Sequence, residues 1–186
     1  MILIVCILGI GVGLLTGGRF QSILHKRFRM KPVLVLSLVC ELFLASPAID
    51  DWLRQLNYHP TIRVSAVIVQ YGLIILFLAV NRMKPGFLLV MAGSLMNALV
   101  MIANGGQMPI GRVILTFGEQ AAAKIDLSPH YFLASGTEPL LFLGDIIPCW
   151  IYMISVGDIV ISLGLFIFGI YLPKKITRQR TLPDHR

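Results

Sequence analysis

Charge is what this sequence has least of: 13% of its 186 residues are charged, against 56% hydrophobic. A soluble globular domain carries about 25% charged residues. The shortage excludes an ordinary soluble domain, and the mean hydropathy of +0.82 agrees. Acids are scarcer still, nine against 16 Lys and Arg. Cys6, Cys40 and Cys149 show no CxxC or Cys–His spacing, and the four His have no second ligand nearby in sequence. Zinc and haem motifs are therefore missing, no cofactor or metal is expected, and the cysteines read as small buried hydrophobes. Basic residues are not interleaved with aromatics on a polar face, which argues against nucleic acid as the partner of a +7 chain.

What is present instead is long apolar runs. A spanning helix needs roughly 20 mainly apolar residues. Residues 2–16, 33–49, 62–81, 87–103 and 156–172 are five candidates, giving an all-α, multi-pass transmembrane bundle in a single domain. A sixth, 140–154, is short and broken by Pro148, so it reads better as a re-entrant piece. The first run lacks a basic leader and reads as a retained helix. Within the long segment 104–155, residues 110–125 predict an amphipathic helix with Val113, Ile114 and Phe117 on one side, forming an outer cap on the lipid bilayer.

Lys and Arg set the orientation. Arg19, Lys26, Arg27, Arg29 and Lys31 follow the first run, Arg82 and Lys84 follow the third, and Lys174, Lys175, Arg178, Arg180 and Arg186 end the chain. Only Arg54, Arg63, Arg112 and Lys124 fall on the other side. The positive-inside rule then places the N-terminus outside and the C-terminus in the cytoplasm of a bacterial cell membrane. Most of the acids lie at the outer boundary, and Glu41 alone is well inside a span.

Four features carry possible function. Gly9, Gly13 and Gly17 recur every four residues, a face that lets another helix approach closely. It serves either packing within the bundle or a homo-oligomer or membrane-protein partner. Glu41 is costly in a span unless protonated or paired, so it is either a proton or solute site or a group bonded to Gln70 or Asn97. Asn104, Gly105 and Gly106 open "NGGQMPIG", which reads as a helix C-cap and turn, or as a backbone-rich loop that binds a substrate carbonyl or anion. Asp145 and Asp158 close two Gly-Asp pairs around Pro148. On one unbroken helix they would point apart, about 20 Å from one another. If the chain turns between them they form a carboxylate pair able to activate water. The competing reading makes Asp158 a helix N-cap, with Ser155 as rival, and pairs Asp145 with Arg112 or Arg63.

"GGRF", "NGGQMP", "FLGDIIP" and "SVGDIVISLG" together resemble a bacterial polytopic family, domain of unknown function 5317, over nearly the whole chain. That resemblance implies a multi-pass membrane protein and no particular activity. "SVGDIVISLGLFIF" is also similar to the last helix of signal peptidase II, which implies Asp158 and Asp145 as an outer-face aspartic pair. The asparagines that accompany each acid in that family are missing here, and no arginine follows Asp145. Three functions are thus expected in turn: a non-catalytic subunit or assembly factor using the glycine face and cap, an outer-face aspartic hydrolase, and a small-solute or proton-coupled carrier built on Glu41.

Overall fold

The structure is a computed structural model describing residues 2–174, apart from 56–58, 119–122, 124, 126, 127 and 151. The tail basics from Lys175 onward, with Glu119, Lys124 and Asp126, lie outside the described residues. The chain is mostly helical. Helices α1 (Ile2–Leu15), α2 (Phe20–Leu24), α3 (Lys31–Ala45), α4 (Pro47–Gln55), α5 (His59–Val80) and α6 (Phe87–Ala103) precede the cap, and α7 (Val156–Tyr171) follows it.

All five apolar runs are helical, but one of them, Pro60–Val80 within α5, is long and apolar enough by itself to cross a membrane, with a mean hydropathy of 2.1. The second run is shorter than its hydrophobicity suggests. Pro47 disfavours helical backbone at Ser46, so α3 stops at Ala45 and α4 starts afresh. Packing then orders the helices as a row: α1 on α7, α7 on α6, α6 on α5, and α5 on α3.

Small residues make the first of these contacts possible. A Cβ on Gly9 would sit 2.5 Å from the Phe166 carbonyl oxygen, and one on Gly13 would sit 2.4 Å from that of Ile170. Gly9 and Gly13 of α1 therefore pack closely against α7 of the same chain. Gly17 instead turns the chain at φ 92° with no neighbour in reach.

The expected all-α cap contains strands. β1 (Met108–Ile110) pairs in parallel with β2 (Tyr131–Leu133), and β3 (Ile147–Cys149) pairs antiparallel with β4 (Tyr152–Ile154). Over the first half of the expected 110–125 helix, Pro109 and Gly111 hold extended chain and Arg112–Phe117 winds into a 3-10 helix; residues 119–122 and 124 of that stretch lie outside the described residues. Ile114 is buried there, whereas Val113 is exposed. The possible sixth span is likewise not a helix: a 3-10 turn (Leu141–Leu143) leads into the β3–β4 hairpin, because Pro148 and the Gly144–Asp145 step favour extended backbone.

Two apolar clusters hold the helices together. Toward the basic loops, Phe28 lies among Phe77, Phe87 and Phe168, with ring centroids 6.0 to 6.3 Å away. The Asn81 side chain holds that loop in place, accepting from the Arg29 backbone N–H and donating to its carbonyl. Toward the cap, Leu44, Val67, Val100, Met101 and Met108 form a second core.

Candidate functional site

The site begins at the first turn of α7. Ser155 is its N-cap: the Oγ accepts from the Asp158 backbone N–H at 2.9 Å, while Asp158 Oδ2 accepts from the Ser155 N–H at 3.2 Å. This reciprocal capping box fixes the Asp158 side chain. The N-cap role goes to Ser155, and Asp158 occupies the third helical position. Asn97 on α6 completes the arrangement, donating to Asp158 Oδ1 at 2.9 Å and accepting from Ser155 Oγ at 3.0 Å. Gly157 permits it, since a Cβ there would lie 1.9 Å from Asn97 Oδ1.

Asp145 arrives from the cap. Its backbone pairs with β1, donating to the Pro109 carbonyl at 3.0 Å and accepting from the Gly111 N–H at 2.9 Å. A buried β1 with Pro109 at its centre thus carries β2 on one side and Asp145 on the other. The Asp145 side chain is 6% exposed and its Oδ1 has no hydrogen-bond partner among the described residues. Arg63, one expected partner, is committed elsewhere: buried in α5, it pairs with Asp50 of α4 and donates to the Pro129 carbonyl.

Both aspartates line one pocket of about 150 Å³, together with Glu41, Gln70, Tyr71, Asn97, His130 and Tyr131. The turn through Pro148 therefore does bring Asp145 and Asp158 to a shared space. Burial, and then the charge of Asp158, raises the Asp145 pKa to about 7. Burial and the surrounding acids likewise push the Tyr131 phenol to about 12, so it remains a neutral donor.

Glu41 reaches the pocket from α3. It accepts from Gln70 Nε2, and its Oε1 lies 3.6 Å from His130 Nε2, too far for a hydrogen bond. Burial lowers the His130 pKa first; Glu41 opposes that shift and Arg63 adds to it.

Tyr71, His130 and Tyr131 are polar site residues that sequence reasoning missed. His130 reads as a solvated loop residue after Pro129, but the parallel β1–β2 pair draws its backbone to Met108 and its ring inward. No signal in the sequence predicts that pairing. Asn104, Gly105 and Gly106 do not line the pocket. Their backbone makes the helix C-cap: the Gly106 N–H donates to the Met101 carbonyl at 2.8 Å, with positive φ at both glycines. Among the described residues, no group of three His, Cys, Asp or Glu side chains is set to hold a metal ion.

The pocket opens into a larger apolar groove of about 860 Å³, sharing Glu41, Gln70, Tyr71, Asn97 and Asp158 with it. Residues of α3 and α7 form its walls, and α5 and α6 its floor.

Fold and site define a mostly helical protein with an acid-lined pocket beneath a short-stranded cap. Residues 25–170 match the family of unknown function DUF5317, and the chain belongs to that family. A similar curated protein is an uncharacterized protein of Thermotoga maritima, 30% identical over 120 residues, covering 62% of this chain and 68% of the relative. No solved structure matches.

Proposed function

We propose that this is a multi-pass protein of the cytoplasmic membrane, N-terminus outside and C-terminus inside, whose outer pocket is a two-carboxylate hydrolase site. Support for the membrane placement comes from apolar side chains that face outward. Leu3, Ile4, Ile7 and Leu8 on α1, and Val35, Leu38 and Leu42 on α3, are exposed, an arrangement water would penalise. Four of the five apolar helices have 14 to 17 residues, short for a full bilayer, and local thinning accommodates them. Trp150, Tyr152 and Phe142 project from the cap, where aromatics suit the outer interface.

The observation that carries the hydrolase reading is the buried, unpartnered Asp145 carboxyl sharing its pocket with an Asp158 carboxylate already oriented by Asn97 and Ser155. Asp158 takes a proton from water as the water oxygen bonds to the substrate's acyl carbon. Protonated Asp145 gives its proton to the leaving oxygen or nitrogen as the acyl bond breaks. Transfer of the proton from Asp158 to Asp145 restores the pair. Water supplies both the hydroxyl and the hydrogen, so no redox partner enters.

The test is hydrolysis of bilayer-presented acyl esters and amides by the reconstituted full chain. Asp145→Asn and Asp158→Asn should each lower the rate by about 10²–10⁴, the worth of positioned acid–base groups. Asp51→Asn, at an exposed position, should leave it unchanged. Full activity in either pocket variant rejects the reading.

The carrier reading keeps one supporting observation, a half-exposed Glu41 side chain facing the groove. Solute uptake without hydrolysis, lost in Glu41→Gln, would favour it. The subunit reading rests on the glycine stripe and the cap, and α7 covers Gly9 and Gly13 of that stripe.

A further inference from the structure

The groove and pocket form one space whose polarity changes along its length. At the cap end stand Glu41, Gln70, Asn97 and Asp158; midway are Leu34, Ile74 and Val90; at the far end Phe28, Phe77, Phe87 and Phe168 close it. From Asp158 to Phe168 along α7 the space runs for roughly 15 Å. Its rim on α3 carries the exposed Val35 and Leu38, so a hydrocarbon chain can enter sideways without crossing water. A space that is polar at one end, oily at the other and open at the side matches an amphiphile.

Size and charge narrow the head group. The outer pocket, about 150 Å³, equals roughly five waters at their liquid volume of about 30 Å³ each. That accommodates a glycerol-sized group. The lining of this outer pocket includes three carboxyl groups, from Glu41, Asp145 and Asp158, and no Lys or Arg; Lys31 lines the groove at the N-terminus of α3, away from them. Arg63, the cation buried nearby, is paired with Asp50. A phosphate would meet acids with no counter-charge, so the head must be uncharged or cationic. Asp145 Oδ1, buried and unpartnered, remains to meet a hydroxyl.

We infer that the site takes a neutral acylglycerol, with one acyl chain in the groove between α3 and α7 and the glycerol in the outer pocket. This deepens the hydrolase reading and rests on it for the reaction: water cleaves the acyl ester, the acyl group leaves as a fatty acid, and the glycerol oxygen receives the proton from Asp145.

The binding half is tested apart from the chemistry. The full chain in phosphatidylcholine vesicles is photolabelled with a monoacylglycerol carrying a diazirine in mid-chain, and the labelled peptides are mapped by mass spectrometry. Label is expected on α3 and α7 around Leu34 and Leu165. Unlabelled monoacylglycerol in tenfold excess over the probe should lower it about tenfold, and lysophosphatidic acid of the same chain less than about twofold. Leu34→Trp and Leu165→Trp fill the groove and should each lower labelling at least about fivefold. The wild-type map stands even if a Trp variant does not fold. Label scattered over the lipid-facing helices, or equal competition by lysophosphatidic acid, overturns the inference, whatever the enzyme hydrolyses. Specific groove labelling with no release of fatty acid retains the lipid site and removes the hydrolase reading. Specific labelling retained in Asp145→Asn, with fatty-acid release lost, supports both.

Discussion

Two regions each bury an aspartate, and they treat it in opposite ways. At the α4–α5 corner, Asp50 is neutralised by Arg63, whose guanidinium is itself almost fully buried and also donates to the Pro129 carbonyl. Under the cap, Asp145 is as buried as Asp50, yet its Oδ1 has no partner among the described residues and the charge acting on it, from Asp158, has the same sign. A buried charge with its counter-ion is tolerated only while the pair stays intact. An unpartnered carboxyl is pushed toward its neutral form, and such groups gather where chemistry is done.

The largest stability effect should fall on the paired region. Asp50→Ala leaves a buried guanidinium without its counter-ion and should cost roughly 3–5 kcal/mol in thermal unfolding of the detergent-solubilised chain. Asp145→Asn removes an unpaired carboxyl and should leave stability equal or higher. A larger loss from Asp145→Asn than from Asp50→Ala would break the comparison.

Next comes the frame that holds Asp158. Gly157→Ala drives a methyl into Asn97 and should cost about 1–3 kcal/mol, with hydrolysis falling more than stability. Ser155→Ala removes the N-cap and should cost about 1 kcal/mol. If hydrolysis survives Gly157→Ala intact, Asn97 has no part in positioning Asp158.

The comparison is sharpened further through pH. Asp145 has a folded pKa of about 7, raised from 3.8. The folded chain therefore keeps a proton that the unfolded chain has lost between those values. Its contribution is fully present below about pH 4, declines as pH rises, and is gone above about pH 7. The facing groups are Asp158, Tyr131, Glu41 and His130. Unfolding midpoints of wild type and Asp145→Asn should diverge across that window, with the wild type losing stability toward neutral pH. Parallel curves would show that Asp145 does not titrate there.

Legibility differed between these parts of the molecule. Four of the five apolar runs predicted helices nearly at their observed bounds, because helix formation in a greasy segment depends on neighbours in sequence. The helix break at Ser46–Pro47 was also written locally, but it was masked by continuous hydrophobicity. The strands of the cap were not legible. β1 is three residues long with Pro109 in its centre, and its parallel partner lies more than twenty residues away. His130 was unreadable as a site residue for the same reason. The capping box around Ser155 and Asp158 was visible as two rival caps, and geometry gave each acid and hydroxyl its own role.

By itself the sequence determined the apolar character, the places of the main helices, the asymmetry of basic residues and the scarcity of acids that drew attention to Glu41, Asp145 and Asp158. These follow from composition and short-range periodicity. Only the tertiary structure decided that α7 covers Gly9 and Gly13 of α1, that Arg63 belongs to Asp50, and that three acids from α3, the cap and α7 meet in one pocket. The physical reason is distance along the chain: burial of a charge is settled by whichever groups folding brings beside it.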